Sequence, residues 1–234
     1  MAQKVTRKQL LKEPDEFLTF SQKMMGYILV HKVKFISGLG ALFALLIIAG
    51  LVGYFSNRAE NNAFAMLNQG VTHYNEVMEK DGPEKAYDAV EKEFLEISDR
   101  YSGRKGGQMA RITFANMAYD AGKYEKALEL YQKALNDFGD TPSLKNLILA
   151  GMGFACEGKQ DYAGAIGYFE RIVSGLEPLM KSEAVFRISM LYEKTGDKEK
   201  SLKSYQKLLA DYPDSLYAEL VREKVPGQEK KSNI

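Results

Sequence analysis

Residues 183–213 read EAVFRISMLYEKTGDKEKSLKSYQKLLADYP. Apolar side chains recur at three- and four-residue spacing on both sides of Gly196, which predicts two amphipathic helices joined by a tight turn. Gly196 supplies the backbone freedom that ends the first helix, and Pro213 stops the second. Small side chains at Ser189 and Ser201 let the two backbones approach, while the bulk of Tyr192 and Tyr205 fills the space between them and a neighbouring pair.

Three upstream segments have the character of the second of these helices: YDAVEKEFLEISDRYS (87–102), YEKALELYQKALNDFG (124–139) and YAGAIGYFERIVSGLE (162–177), beside KEKSLKSYQKLLADYP (198–213). The equivalent aromatics Phe94, Tyr131, Phe169 and Tyr205 stand at steps of 37, 38 and 36 residues. An even period of this length marks stacked supersecondary units. The last copy resembles a tetratricopeptide repeat at Ile188, Ser189, Tyr192, Gly196, Ser201, Tyr205, Leu208 and Pro213. The middle copies resemble it through Phe114, Ala115, Gly122, Tyr124, Ala127, Tyr131 and Ala134, and through Ala150, Gly151, Phe154, Gly158, Tyr162, Ala165 and Phe169. In this reading Gly122, Gly158 and Gly196 each permit the turn inside a hairpin. The first copy departs: its first helix, from about Arg58 to Lys80, lacks the small-residue positions and reads as an atypical cap ending at Asp81-Gly82-Pro83. Leu216 to Val225 is expected to form a closing helix, followed by a disordered polar tail, 226–234.

Upstream of the repeats, residues 35–55 read FISGLGALFALLIIAGLVGYF, 21 residues without a charge. At ~1.5 Å rise per residue such a helix covers the roughly 30 Å hydrocarbon core of a bilayer. A long leader and a poorly placed Ala63-Phe64-Ala65 argue against a cleaved signal, so the segment reads as an uncleaved anchor. Seven cations precede it (Lys4, Arg7, Lys8, Lys12, Lys23, Lys32, Lys34), whereas Arg58 is the sole cation in the next twenty residues. The positive-inside rule then places the N-terminus in the cytoplasm and the repeats outside it, in the periplasm of a Gram-negative cell. Residues 1–34 are expected to be a cytoplasmic region, flexible to Asp15 and amphipathic from Glu16 to Lys34; residues 56–225 form the repeat domain. The expected fold class is all-α, one transmembrane helix followed by an α-solenoid.

Composition excludes several functions. With 32 Lys+Arg against 31 Asp+Glu the chain has no global field to hold nucleic acid. One cysteine, Cys156, forms no intrachain disulfide, and with two histidines it cannot supply an ordinary zinc site. No GxSxG, P-loop, HExxH or strand-borne GxGxxG occurs, so no catalytic residues, cofactor or small-molecule substrate are assigned and an enzyme is not expected. His31 and His73 flank the span on opposite sides; Glu91, Glu93 and Glu96 read as a solvated helix face, and Arg100, Arg104, Lys105 and Arg111 as a solvated basic loop.

The layout of basic cytoplasmic segment, span and external repeats resembles the YfgM-like ancillary subunits of the bacterial Sec translocon. That resemblance implies protein partners, namely translocon components, exported proteins or periplasmic chaperones; a scaffold for division or outer-membrane biogenesis machinery is the alternative. In tetratricopeptide repeat proteins the first helices line an inner groove. By that alignment the lining here is Ile112, Asn116, Tyr119, Lys145, Ile148, Met152, Phe186, Met190 and Glu193. Met and aromatic side chains suit adaptable capture of a peptide or partner helix.

Overall fold

The computed structural model describes residues 16–225, and the regular elements among them are helices. The tails expected at 1–15 and 226–234 lie outside the described residues. The chain divides into two compact units, Met1–Arg58 and Ala59–Ile234.

In the first unit α1, Glu16–Val30, is followed after His31 by α2, Lys32–Asp81. The joint is shallow: the His31 amide still donates to the Tyr27 carbonyl at 3.0 Å, and the two rings meet edge to face at 4.6 Å. From Phe35 to Phe55 the large apolar side chains of α2 are exposed, and the helix is long and apolar enough to cross a bilayer. At about 25 cal/mol per Å² such a surface is costly to leave in water, which is compatible with a membrane-spanning helix.

The second unit takes up α2 from Ala59 and pairs it with α3, Pro83–Arg100. Three hairpins follow: α4, Lys105–Asp120, with α5, Tyr124–Phe138; α6, Pro142–Gly158, with α7, Tyr162–Ser174; and α8, Lys181–Lys194, with α9, Lys198–Asp211. A short α10, Ala218–Arg222, closes the array; it is shorter than expected because Leu216 stands in solvent, 78% exposed, rather than on the core. Aromatic rings set the spacing of the first two hairpins. Phe114 is fully buried between Tyr87 and Phe94, with ring centroids 4.9 and 5.3 Å away and nearly parallel planes. Each such fully buried side chain contributes roughly 1.5–3 kcal/mol.

The turn inside each later hairpin is the same. The Lys123, Asp161 and Asp197 amides donate to the carbonyls of Ala118, Cys156 and Tyr192, five residues back, at 2.8 to 2.9 Å. This is the Schellman arrangement, which requires a left-handed residue just before the donor. Those residues are Gly122 (φ 71°), Gln160 (φ 64°) and Gly196 (φ 84°). The expectation that Gly158 makes the third turn is therefore corrected. Gly158 ends α6 in helical conformation, and a Cβ there would lie 2.5 Å from the Tyr124 ring, so its smallness serves packing. In the third and fourth turns the same aspartate that ends one helix starts the next: the Gly164 amide donates to Asp161 at 2.9 Å and the Lys200 amide to Asp197 at 3.1 Å.

Once the turn is anchored at Gln160, the register counterpart of Ala115 and Ser189 is Gly153, where a Cβ would come 2.7 Å from the Phe169 ring; Gly151 also serves close packing, since a Cβ there would lie 2.5 Å from the Tyr131 ring of the preceding hairpin. The first hairpin also has its small residues, contrary to the sequence reading. Gly70 lies where a Cβ would be 2.9 Å from the Phe94 ring, and Ala63 meets Gly106 of α4. Beside that contact the Glu60 carboxylate accepts the amides of Lys105 (3.2 Å) and Gly106 (2.8 Å), capping α4 from another helix.

Candidate partner-binding site

The anchored turns define which residues of the first helices are equivalent. Ile112, Asn116 and Tyr119 precede Gly122 by 10, 6 and 3 residues, as Phe186, Met190 and Glu193 precede Gly196. The same offsets from Gln160 give Ala150, Phe154 and Glu157. Anchoring on Gly158 instead selects Ile148 and Met152, which are each 1% exposed and belong to the core. Met152 is the counterpart of the buried Phe114 and Ile188. Lys145 is half-buried on the first turn of α6.

On α4, Asn116 is exposed, and its Oδ1 accepts the Tyr131 hydroxyl at 2.6 Å, which fixes the amide. Ile112 is half-buried against the core. Tyr119 packs on Tyr124 at 5.7 Å, and burial first, then the neighbouring Tyr124 and Glu157, push its hydroxyl pKa up, so it stays a neutral donor. On α6, Phe154 carries the Arg187 guanidinium over its ring at 4.8 Å, and Glu157 meets Lys194 of α8 at 4.0 Å. Arg187 also reaches Glu183 at 3.7 Å. The three first helices thus meet through aromatic and ionic contacts around Tyr119, Phe154, Glu157 and Arg187.

At the C-terminal end the face is partly covered by the chain itself. Phe186 stacks on Tyr217 at 4.5 Å with planes 16° apart. Glu193 accepts the Tyr205 hydroxyl at 2.8 Å and Lys224 at 2.7 Å, and these partners, Lys224 foremost, hold its carboxyl pKa below the ordinary range. Met190 remains 41% exposed. Sequence reasoning missed Phe154, Glu157 and Arg187. The available signal was spacing: Gln160 precedes Ala165 by five residues, as Gly122 precedes Ala127 and Gly196 precedes Ser201.

Other candidate chemistry resolves into local pairing. His73 and Glu93 bond at 3.0 Å, Glu91 accepts the Tyr87 hydroxyl, and Glu96 pairs with Arg100. Arg111 is not part of a solvated basic loop: it forms an ion pair with Asp137, both largely buried, and donates to the Ser98 carbonyl at 3.1 Å. Cys156 is buried, which raises its thiol pKa, with Asp161 adding to the effect. Among the described residues there is no group of three or more His, Cys, Asp or Glu placed to hold a metal ion.

These hairpins are the architecture of a protein-interaction module, and the comparison with known families agrees. A family described as a tetratricopeptide repeat-like domain matches residues 34–170, more than half of the chain, and a tetratricopeptide repeat matches residues 183–215. The chain belongs to the tetratricopeptide repeat-like domain family. That class consists typically of non-enzymatic interaction scaffolds, and it implies protein partners. A comparison with proteins of curated function finds no match.

Proposed function

We propose that the chain is a single-pass anchored subunit whose N-terminus is cytoplasmic and whose repeats lie across the inner membrane, where they work beside the Sec translocon and relay exported proteins to periplasmic chaperones. The observation that carries this reading is one apolar helix, unburied within the chain, in a protein whose remaining hairpins form an interaction module. The excess of cations before the span supports the orientation. The aromatic and Met side chains of the first helices, Tyr119, Phe154 and Met190, support capture of loosely defined apolar segments.

Protease added to spheroplasts should digest the repeats and spare the N-terminal region; digestion only after lysis would reverse the orientation. For partner capture the informative site is Met190, which is exposed, rather than Phe186, whose stack on Tyr217 holds the closing helix. Met190→Glu should keep its helical signal and melting behaviour while weakening crosslinks to translocon components or exported proteins roughly thirtyfold, as expected for an anchor contributing about 2 kcal/mol. Undiminished crosslinking in a folded variant would move recognition off this face.

A further inference from the structure

A second surface lies away from the inner face, between the second helices of the last two hairpins. There α7, α8 and α9 enclose a recess of about 460 Å³. Its floor is Val173 of α7 with Val185 and Ile188 of α8; the last two are 2% and 7% exposed, so the floor belongs to the packed core and is rigid. Its wall is a line of three lysines on α9, Lys200, Lys203 and Lys207. Their spacing of three and four residues places them on one face of the helix over about 10 Å.

The charge on this wall is only partly compensated. Lys200 pairs with Asp197 at 2.8 Å and Lys207 pairs with Asp211, both partners lying toward the ends of α9. Lys203, in the middle, makes no ion pair among the described residues. Opposite stands one acidic side chain, Glu170. Exposed lysines commonly serve solubility and lay their aliphatic stems on apolar surface. Here, with the stems in place, the recess above the valines and isoleucine is still open and of the size that takes side chains of a ligand. A concave slot between helices does not match the plane of a lipid headgroup layer, and a near-neutral chain with three lysines over two turns offers nucleic acid little.

We propose that this recess docks an acidic segment of a partner protein, seating one apolar side chain on Val173, Val185 and Ile188 and pairing flanking carboxylates with Lys203 and its neighbours. The assignment is independent of the inner face, because the charged wall stands on a second helix. It makes the last two hairpins a two-sided adaptor: apolar capture by first helices and an acidic ligand held by second helices.

The test uses the full chain in mild detergent and a fluorescein-labelled peptide in which a single leucine is flanked on both sides by glutamates, followed by anisotropy at low ionic strength. Binding should weaken as salt rises. Lys203→Glu should weaken it roughly tenfold without changing the melting temperature. Ser204→Trp, which fills the recess and leaves the charge unchanged, should weaken it comparably. Lys92→Glu, the same charge change on an exposed position of α3, should have no effect. Replacing the peptide's glutamates with glutamine, or its leucine with serine, should abolish binding. Equal weakening by Lys92→Glu, or unchanged affinity in Ser204→Trp, would overturn the proposal. So would failure of the peptide to bind while soluble dihexanoyl phosphatidylglycerol binds in a Lys203-dependent manner, which would assign the lysines to anionic lipid.

Discussion

The third and fourth hairpins make one turn from different residues. In the fourth, Gly196 takes the left-handed conformation that glycine adopts without a steric cost; in the third, Gln160 takes it and Gly158, two residues earlier, is spent on a contact with Tyr124. Hydrogen bonds, flanking aspartates and the distance to the next small residue are alike in both. The repeat is thus defined by a position in a hydrogen-bonded turn and by its fixed distance to the next small residue, while the residue type at the turn is negotiable.

The largest way to break that equivalence is at the ring contact. Gly153 faces Phe169 as Ser189 faces the last repeat's interior, so Gly153→Leu should overpack the third hairpin and cost roughly 3 kcal/mol, read as an early loss of helical circular dichroism on heating. An unchanged melt would mean that Gly153 is not the counterpart of Ala115 and Ser189. The turn itself gives a pair of opposite effects. Gly196→Ala should cost about 1–2 kcal/mol, whereas Gln160→Gly should gain about 0.5 kcal/mol, because the left-handed strain removed slightly exceeds the chain entropy that glycine adds. If both substitutions destabilise, the two turns are not equivalent.

These positions also mark what was legible in the sequence. The second and fourth hairpins could be placed because their turn residues, Gly122 and Gly196, advertise a positive φ. The third hairpin reads as a repeat two residues out of register, because its nearest glycine, Gly158, serves packing rather than the turn. That shift sent two of the nine candidate groove residues, Ile148 and Met152, into the core and hid Phe154 and Glu157. The long apolar helix was legible because twenty-one consecutive uncharged residues, 35–55, stand out from the rest of the chain by length and composition alone. Contacts between distant residues left no local trace: the cap on α4 by Glu60, the Arg111–Asp137 pair and the stack of Phe186 on Tyr217 each depend on how helices come together.

The smallest expected effect concerns the closing segment, where the fourth hairpin differs from the third in being an end. Glu193 has a lowered pKa in the folded chain because Lys224 and Tyr205 hold its charged form. Its stabilising contribution is therefore present above the ordinary glutamate range and is lost as pH falls through the lowered folded value. Glu193→Gln should melt slightly earlier than the parent chain at neutral pH, and the two curves should converge on acidification. A difference that persisted at acid pH would mean that the side chain acts through packing rather than charge.

The turns inside the last three hairpins are each three residues long, 121–123, 159–161 and 195–197, whereas the links between consecutive hairpins have four, three and six residues, at 101–104, 139–141 and 175–180. In the third and fourth turns a single aspartate closes one helix and opens the next, so one inserted residue there would break two helices at once. The long link at 175–180 is tied down by backbone carbonyls instead: buried Asn146 donates to those of Glu177 and Leu179, leaving Leu176 fully exposed. The array therefore has built-in splice points. A tag, a reporter domain or a disulfide tether inserted beside Leu176 should leave both neighbouring hairpins intact, while the same insertion at residue 160 or 196 should cut the solenoid in two.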